Sequence, residues 1–332
     1  MQTLLGARAL RPPPPAVSRE RLELDDGDFI DLAHADPPGE PIAHACLFHG
    51  LAGGLGSAYA RGAIGALVRR RVAVTLMHWR GCSGEPNRLR RSYHSGATED
   101  IVRIAELVAE RHPGRPLLGL GYSLGGNALL LHLGRAGADT PFDAALAVCP
   151  PLVLAVGAAK LDRGAARGYR RHLLGLMRAQ HEAKRARHPE LDLPPARPSL
   201  DTFRAFDDAL TAPLHGYAGV DDYYARASSR PALPGVAVPT RVLCAEDDPF
   251  FTPAILPEAD ELAPETVLEL ARHGGHVGFV GGRGAGDGPG GGALGRRWLD
   301  RRVGEVLAGF VAERPGRRAG TSFDARADGP SG

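Results

Sequence analysis

The feature of this 332-residue sequence that most restricts its fold is a repeated alternation between short apolar runs and segments of helical spacing. Ile42 to Phe48, Val72 to Met77, Pro116 to Tyr122 and Ala144 to Val148 are strand-length apolar runs, separated by Ser57 to Arg70, Thr98 to Arg111 and Leu124 to Leu133. Apolar runs of this kind suit strands covered on both faces, and the intervening helices suit crossovers between parallel strands. The pattern predicts an α/β fold with a mostly parallel central sheet flanked by helices. Upstream, Arg21 to Leu24 and Phe29 to Leu32 alternate about the Asp25-Asp26-Gly27-Asp28 turn, which predicts a hairpin. Downstream, Thr240 to Ala245 and Val267 to Leu270 predict two more strands, and Arg296 to Ala312 a closing helix.

Between Pro150 and about Ala237 the alternation gives way to polar helical stretches separated by prolines, so residues 151–237 are expected to form a helical insertion, read as a lid. Its first part is basic, with Lys160, Arg163, Arg167, Arg170, Arg171, Arg178, Lys184, Arg185 and Arg187 against Asp162 and Glu182. The plain reading is a solvated helix face; the alternative is a lid in transient contact with an anionic membrane surface or an acidic substrate. Residues 1–20 read as a flexible leader, 21–313 as the α/β domain carrying the insertion, and 314–332 as a disordered tail. Residues 281–292 have flexible-linker composition.

A net charge of +2 gives no concentrated basic footprint for nucleic acid. The leader lacks the continuous apolar region of a signal peptide, and no run reaches the roughly 18 apolar residues of a membrane span. Cys46, Cys82, Cys149 and Cys244 are far apart and form no CxxC pair, which suits reduced thiols in a cytoplasmic protein.

Gly121-Tyr122-Ser123-Leu124-Gly125 follows an apolar strand and opens a helix. A GxSxG pentapeptide is weak evidence in a chain with 44 glycines, but this strand-turn-helix setting is the one a nucleophile elbow needs. Ser123 is therefore the candidate nucleophile, and it requires a base and an orienting carboxylate. The acid is expected after a late strand, where Glu246-Asp247-Asp248-Pro249 follows Ala245; Asp248 is preferred, with Asp247 as the alternative. The base is expected after the last strand, where His276, between glycine-rich neighbours, is preferred over His273. Oxyanion donors are expected from the N–H groups of Leu124 and, in the His49-Gly50-Leu51-Ala52-Gly53-Gly54 loop, of Leu51. No GxGxxG follows the first strand, and no P-loop or HExxH spacing occurs, so no nucleotide, metal or other cofactor is expected.

Around this elbow the sequence resembles the YheT-like α/β-hydrolases, a family related to fungal medium-chain fatty acid ethyl ester synthase/esterases. His49-Gly50-Leu51, Trp79-Arg80-Gly81-Cys82-Ser83-Gly84-Glu85-Pro86-Asn87, Tyr93-His94-Ser95-Gly96, Asp247-Asp248-Pro249-Phe250 and Gly274-Gly275-His276-Val277-Gly278-Phe279 carry the likeness. The resemblance implies a carboxylic ester hydrolase with Ser123, Asp248 and His276 as triad, acting on short- or medium-chain acyl esters, truncated phospholipids included. The expected substrate is a small-molecule or lipid ester. Acyl transfer to an alcohol through the same triad is the alternative activity, and a non-catalytic ligand-binding relative the alternative class. His49 and Gly50 are expected to support the site. Arg80 or His94 is expected to organise the acyl pocket, against an equally weighted reading as a structural hydrogen-bond network.

Overall fold

The computed structural model describes residues 12–279 and 298–313. In it, β1 (Ser18–Glu23), β2 (Phe29–Ala35), β3 (Ala43–Phe48), β4 (Val72–Met77), β5 (Leu117–Tyr122), β6 (Ala144–Val148), β7 (Thr240–Ala245) and β8 (Thr266–Ala271) form one sheet in the order β1-β2-β4-β3-β5-β6-β7-β8. The hairpin β1–β2 and the β2–β4 pair are antiparallel, and β4, β3, β5, β6, β7 and β8 run parallel. Every residue of β3, β4, β5 and β6 is buried, the outcome expected of apolar runs covered on both faces.

Those two faces are supplied by α1 (Ala58–Val68) with α7 (Trp298–Ala312), and by α2 (Glu99–Arg111) with α3 (Leu124–Ala136); α4 (Leu154–Leu161), α5 (Ala166–Arg187) and α6 (Val220–Ala227) lie between β6 and β7. On one side Ile64 and Leu67 of α1 and Val303 and Leu307 of α7 close over Leu47, Val74 and Leu76. On the other, Ile101, Ile104, Leu129 and Leu133 cover Phe48 and Met77. The chain goes from β3 outward to β4 and then returns to β5 on the opposite side of β3. Loops leaving the carboxyl ends of β3 and β5 therefore diverge and open a crevice, the position where ligands bind in open α/β sheets.

The chain from 149 to 239 contains helices and no strand, as its sequence suggested. Its basic run does not form one solvated face. Arg163, Arg167, Arg171, Arg185 and Arg187 are exposed, whereas Arg170 turns inward to Asp162 (2.6 Å) and Lys184 is buried. β1 starts at Ser18, inside the stretch expected to be leader, because Ser18 to Glu20 extend the ladder opposite Leu32 to His34. Residues 1–11, the glycine-rich 281–292 and the 314–332 tail lie outside the described residues. All four cysteines are free thiols, three of them buried. No helix among the described residues is long and apolar enough to cross a membrane.

Candidate active site

Ser123 sits between the end of β5 and the start of α3 with φ of 50° and ψ of −118°, a conformation L-residues rarely adopt. The turn is tight enough to demand glycine on either side. A Cβ on Gly121 would lie 2.6 Å from Gly125 O, and one on Gly125 would lie 2.3 Å from Phe48 O. The serine N–H donates to Val148 O at 2.8 Å, tying the elbow to β6. Strain of this kind is held by the surrounding packing, and it presents the hydroxyl at the mouth of the crevice.

The loops after β7 and β8 bring the two preferred partners to it. His276 Nε2 lies 2.8 Å from Ser123 Oγ, and His276 Nδ1 lies 2.8 Å from Asp248 Oδ2. Both groups are buried, at 4% and 8% exposure, so the His–Asp contact is shielded from water. Asp248 is fixed by accepting the Phe250 N–H on Oδ1 at 2.8 Å. Its neighbour Asp247 faces elsewhere: Oδ1 accepts the N–H groups of Gly274 (2.7 Å) and Gly275 (2.6 Å), stapling the loop that carries His276. One ring face of His276 packs on Phe250 at 4.4 Å, and Tyr169 of α5 lies edge-on at 6.0 Å. Cys149 adjoins the pair, its thiol within 4.8 Å of ligand atoms of Asp248 and His276. Burial, with the Asp248 charge beside it, pushes that thiol well above its usual pKa, so it stays neutral.

The loop after β3 is held through several of its backbone polar atoms. Gly50 O accepts from His49 Nδ1 at 2.7 Å and from Gly53 N at 3.0 Å. Gly50 N donates to the Tyr59 hydroxyl and Ala52 N to the Tyr93 hydroxyl, each at 2.9 Å. The N–H between them, that of Leu51, has no acceptor among the described residues. Leu124 N–H opens α3, where helical N–H groups lack an intrahelical acceptor. Leu51 and Leu124 border the same cavity as Ser123 and His276, and a Cβ on Gly50 would lie 3.2 Å from Ser123 Cβ. His49 is fully buried, accepting the Trp79 N–H at Nε2 (3.2 Å). Burial lowers its pKa to about 3, so it acts as a neutral brace.

The cavity in front of Ser123 encloses about 210 Å³. Leu154, Leu161, Leu173, Met177, Phe206 and Leu210, all from the insertion, make its walls largely apolar. Arg80 borders it, but its guanidinium is engaged elsewhere: Nη2 meets Asp100 Oδ1 at 2.8 Å, and Nη1 meets Asp26 Oδ2 at 2.8 Å and Asp28 Oδ2 at 3.0 Å. This fits the network reading of Arg80. His94 also borders the cavity, accepting the Gly96 N–H at Nδ1 and packing on His215 at 4.4 Å; burial, then His215 and Arg91, hold its pKa well down. Tyr59 carried no signal in the sequence, where a buried aromatic reads as core, and Tyr93 stood out only as part of the Tyr93-His94-Ser95-Gly96 block, with no role assigned to its hydroxyl.

A family model described as the α/β hydrolase fold matches residues 46–282. YheT of Escherichia coli (strain K12), named as an esterase, is 42% identical over 79% of this chain and 78% of its own. Phospholipase ABHD3 of Mus musculus is 29% identical over 84% of this chain and 70% of its own, and medium-chain fatty acid ethyl ester synthase/esterase 2 of Saccharomyces cerevisiae is 27% identical over 77% and 61%. Among solved structures, the bacterial brefeldin A esterase superposes with a TM-score of 0.55 at 18% identity, covering 91% of this chain and 78% of that one, a likeness of fold. The family model and the YheT match agree with the eight-stranded sheet and its elbow: the chain belongs to the α/β-hydrolase fold family, in its YheT-like branch.

Proposed function

We propose that this protein is a serine esterase that cleaves carboxylic esters of short or medium acyl chains through an acyl-enzyme. The observation that carries the reading is the continuous contact from Ser123 Oγ through His276 to Asp248, with 2.8 Å at each step. His276 Nε2 takes the proton of Ser123 as Oγ attacks the ester carbonyl, and Asp248 holds the imidazole in the tautomer that leaves Nε2 free to accept it. The oxyanion accepts from the N–H groups of Leu51 and Leu124. His276 then gives its proton to the departing alkoxide, and water repeats the sequence to release the acid and regenerate Ser123. The apolar walls supplied by the insertion support an acyl-chain pocket, the insertion acting as its lid. Each methylene accommodated there raises kcat/KM about fourfold, at about 0.8 kcal/mol per buried CH₂.

The test combines p-nitrophenyl acyl esters of graded chain length with fluorophosphonate labelling. Turnover and labelling that both vanish in Ser123→Ala are expected. A folded wild-type protein that ignores both reagents, or a Ser123→Ala protein that still turns over, sinks the reading. The named activity of the Saccharomyces cerevisiae synthase/esterase relative supports a second outcome for the same acyl-enzyme, transfer to an alcohol. Added ethanol that diverts product from acid to ethyl ester identifies it.

A further inference from the structure

The oxyanion loop is braced on both sides of Leu51, and one brace reaches the insertion. Tyr59, from α1, receives the Gly50 N–H; Tyr93, stacked on Trp79 at 6.2 Å, receives the Ala52 N–H. Ala52 has φ of 50°, a left-handed conformation that an alanine holds only when its surroundings impose it. The Tyr93 hydroxyl has a second contact. It donates to Gln180 Oε1 of α5 at 3.4 Å, while Gln180 Nε2 reaches Cys82 Sγ at 3.7 Å. The same helix supplies Leu173 and Met177 to the cavity wall, so the helix that meets the substrate chain also touches the residue that fixes the oxyanion loop. Lys184, one turn further along α5, donates to Arg91 O (2.7 Å) and Ser92 Oγ (3.0 Å), anchoring α5 to the segment that carries Tyr93.

We propose that Tyr93 is a positioning residue that couples the seating of α5, through Gln180, to the alignment of the Leu51 N–H with the developing oxyanion. The proposal rests on the esterase reading above. When α5 is seated on the substrate chain, the Gln180–Tyr93–Ala52 contacts hold Ala52 left-handed and aim Leu51 N–H at the oxyanion. When α5 is displaced, the Tyr93 hydroxyl loses its second anchor and the loop relaxes. The substrate's remote chain thereby contributes to kcat rather than to KM alone.

The experiment compares Tyr93→Phe and Gln180→Leu with the wild type, using an ester substrate, the trifluoromethyl ketone of the same chain, and the corresponding ether. The ketone forms a tetrahedral oxyanion on Ser123; the ether fills the pocket without one. Tyr93→Phe is expected to lower kcat at least about tenfold, below the 10²- to 10³-fold worth of a whole oxyanion donor. It should weaken the ketone by the same factor, leaving KM and ether affinity near wild type. Gln180→Leu should shift kcat and ketone affinity in the same direction by about threefold. Wild-type kcat and ketone affinity in Tyr93→Phe overturn the proposal, as does an equal loss of ether affinity, which marks Tyr93 as a pocket wall only. An unaffected Gln180→Leu enzyme overturns the coupling to α5, and this arm remains decisive if Tyr93→Phe does not fold. Fluorophosphonate labelling of Ser123 in the wild type tests the parent reading separately.

Discussion

Two adjacent carboxylates divide the labour behind His276. Asp248 Oδ2 meets the imidazole, whereas Asp247 Oδ1 gathers two backbone N–H groups of the loop that carries it. The two sites therefore respond differently to substitution. Asp248→Asn keeps the shape but offers His276 an amide that favours the wrong tautomer, and kcat is expected to fall by about 10³- to 10⁴-fold. Asp247→Asn retains an Oδ1 acceptor and is expected to cost less than tenfold. Asp247→Ala strands both N–H groups and should destabilise the fold by about 3–6 kcal/mol, from two hydrogen bonds to a charged acceptor of about 1.5–3 kcal/mol each. Steady-state kinetics and urea titration of the three variants check the division; equal activity losses at Asp247 and Asp248 would contradict it. The order of Ser123, acid and His276 was legible in the chain because each follows a recognisable strand. The choice between neighbouring acids was only a preference, since both occupy one turn and side-chain direction is set by the loop 27 residues further on. Arg80 was ambiguous for a similar reason: its partners Asp26, Asp28 and Asp100 come from the hairpin turn and α2, distant in sequence.

At the level of elements, glycines with opposite roles lie in α3 and α5. At the end of β5, beside the elbow, a Cβ on Gly121 would lie 2.6 Å from Gly125 O and Gly126 Cα, and near the carboxyl end of α3 one on Gly134 would lie 2.0 Å from Ala232 O. Backbone cannot step aside as a side-chain tip can, so Gly121→Ala and Gly134→Ala are expected to destabilise by about 3 kcal/mol or more. In α5, a Cβ on Gly168 or Gly175 meets nothing within 4 Å. There Gly→Ala removes the backbone entropy penalty and should stabilise by about 0.5–1 kcal/mol per site. Thermal unfolding of the four variants measures both effects, and a destabilised Gly175→Ala would show that α5 packs more tightly than its open outer face implies. The strands and the flanking helices were readable because covered strands leave continuous apolar runs. The orientation of α5 was not. Its arginines and lysine make it read as polar all round, and only packing shows that Tyr169, Leu173, Met177 and Lys184 turn inward.

For the whole molecule, buried histidines set the response to acid. His44, His49 and His94 are 4%, 0% and 9% exposed. Burial lowers the pKa of His44 and of His49 to about 3, and holds that of His94 well below the ordinary value. In the unfolded chain each titrates near 6.5. Below that pH the unfolded state therefore binds protons that the folded state refuses, and stability falls as pH falls, by about 1.4 kcal/mol per pH unit for each histidine. Asp207 works in the opposite sense: burial raises its pKa to about 6, so between about pH 4 and 6 the folded state holds a proton that the unfolded state has released. In that window these four groups together leave two protons, about 3 kcal/mol per pH unit, and His78, His132 and His215, also lowered by burial, steepen the fall. Carboxylates held low by ion pairs, such as Glu20 at about 2 beside Arg111, add to the loss only below about pH 4.5. Against a typical total of about 5–15 kcal/mol, a slope of this size is enough to unfold the protein between about pH 5 and 4, without any change at Ser123, His276 and Asp248. The urea midpoint should fall gently from pH 7.5 to 6.5, where buried Lys184, its pKa lowered to about 7, gains its proton in the folded state, and drop steeply from about 6.5 to 5. Because His44 Nε2 bonds to Thr75 Oγ1 of the neighbouring strand (2.8 Å), His44→Gln can keep a hydrogen bond while removing one titrating group. That variant should lose less stability per pH unit than the wild type, by about one proton's worth, and a parallel decline in both would remove the buried imidazoles as the cause.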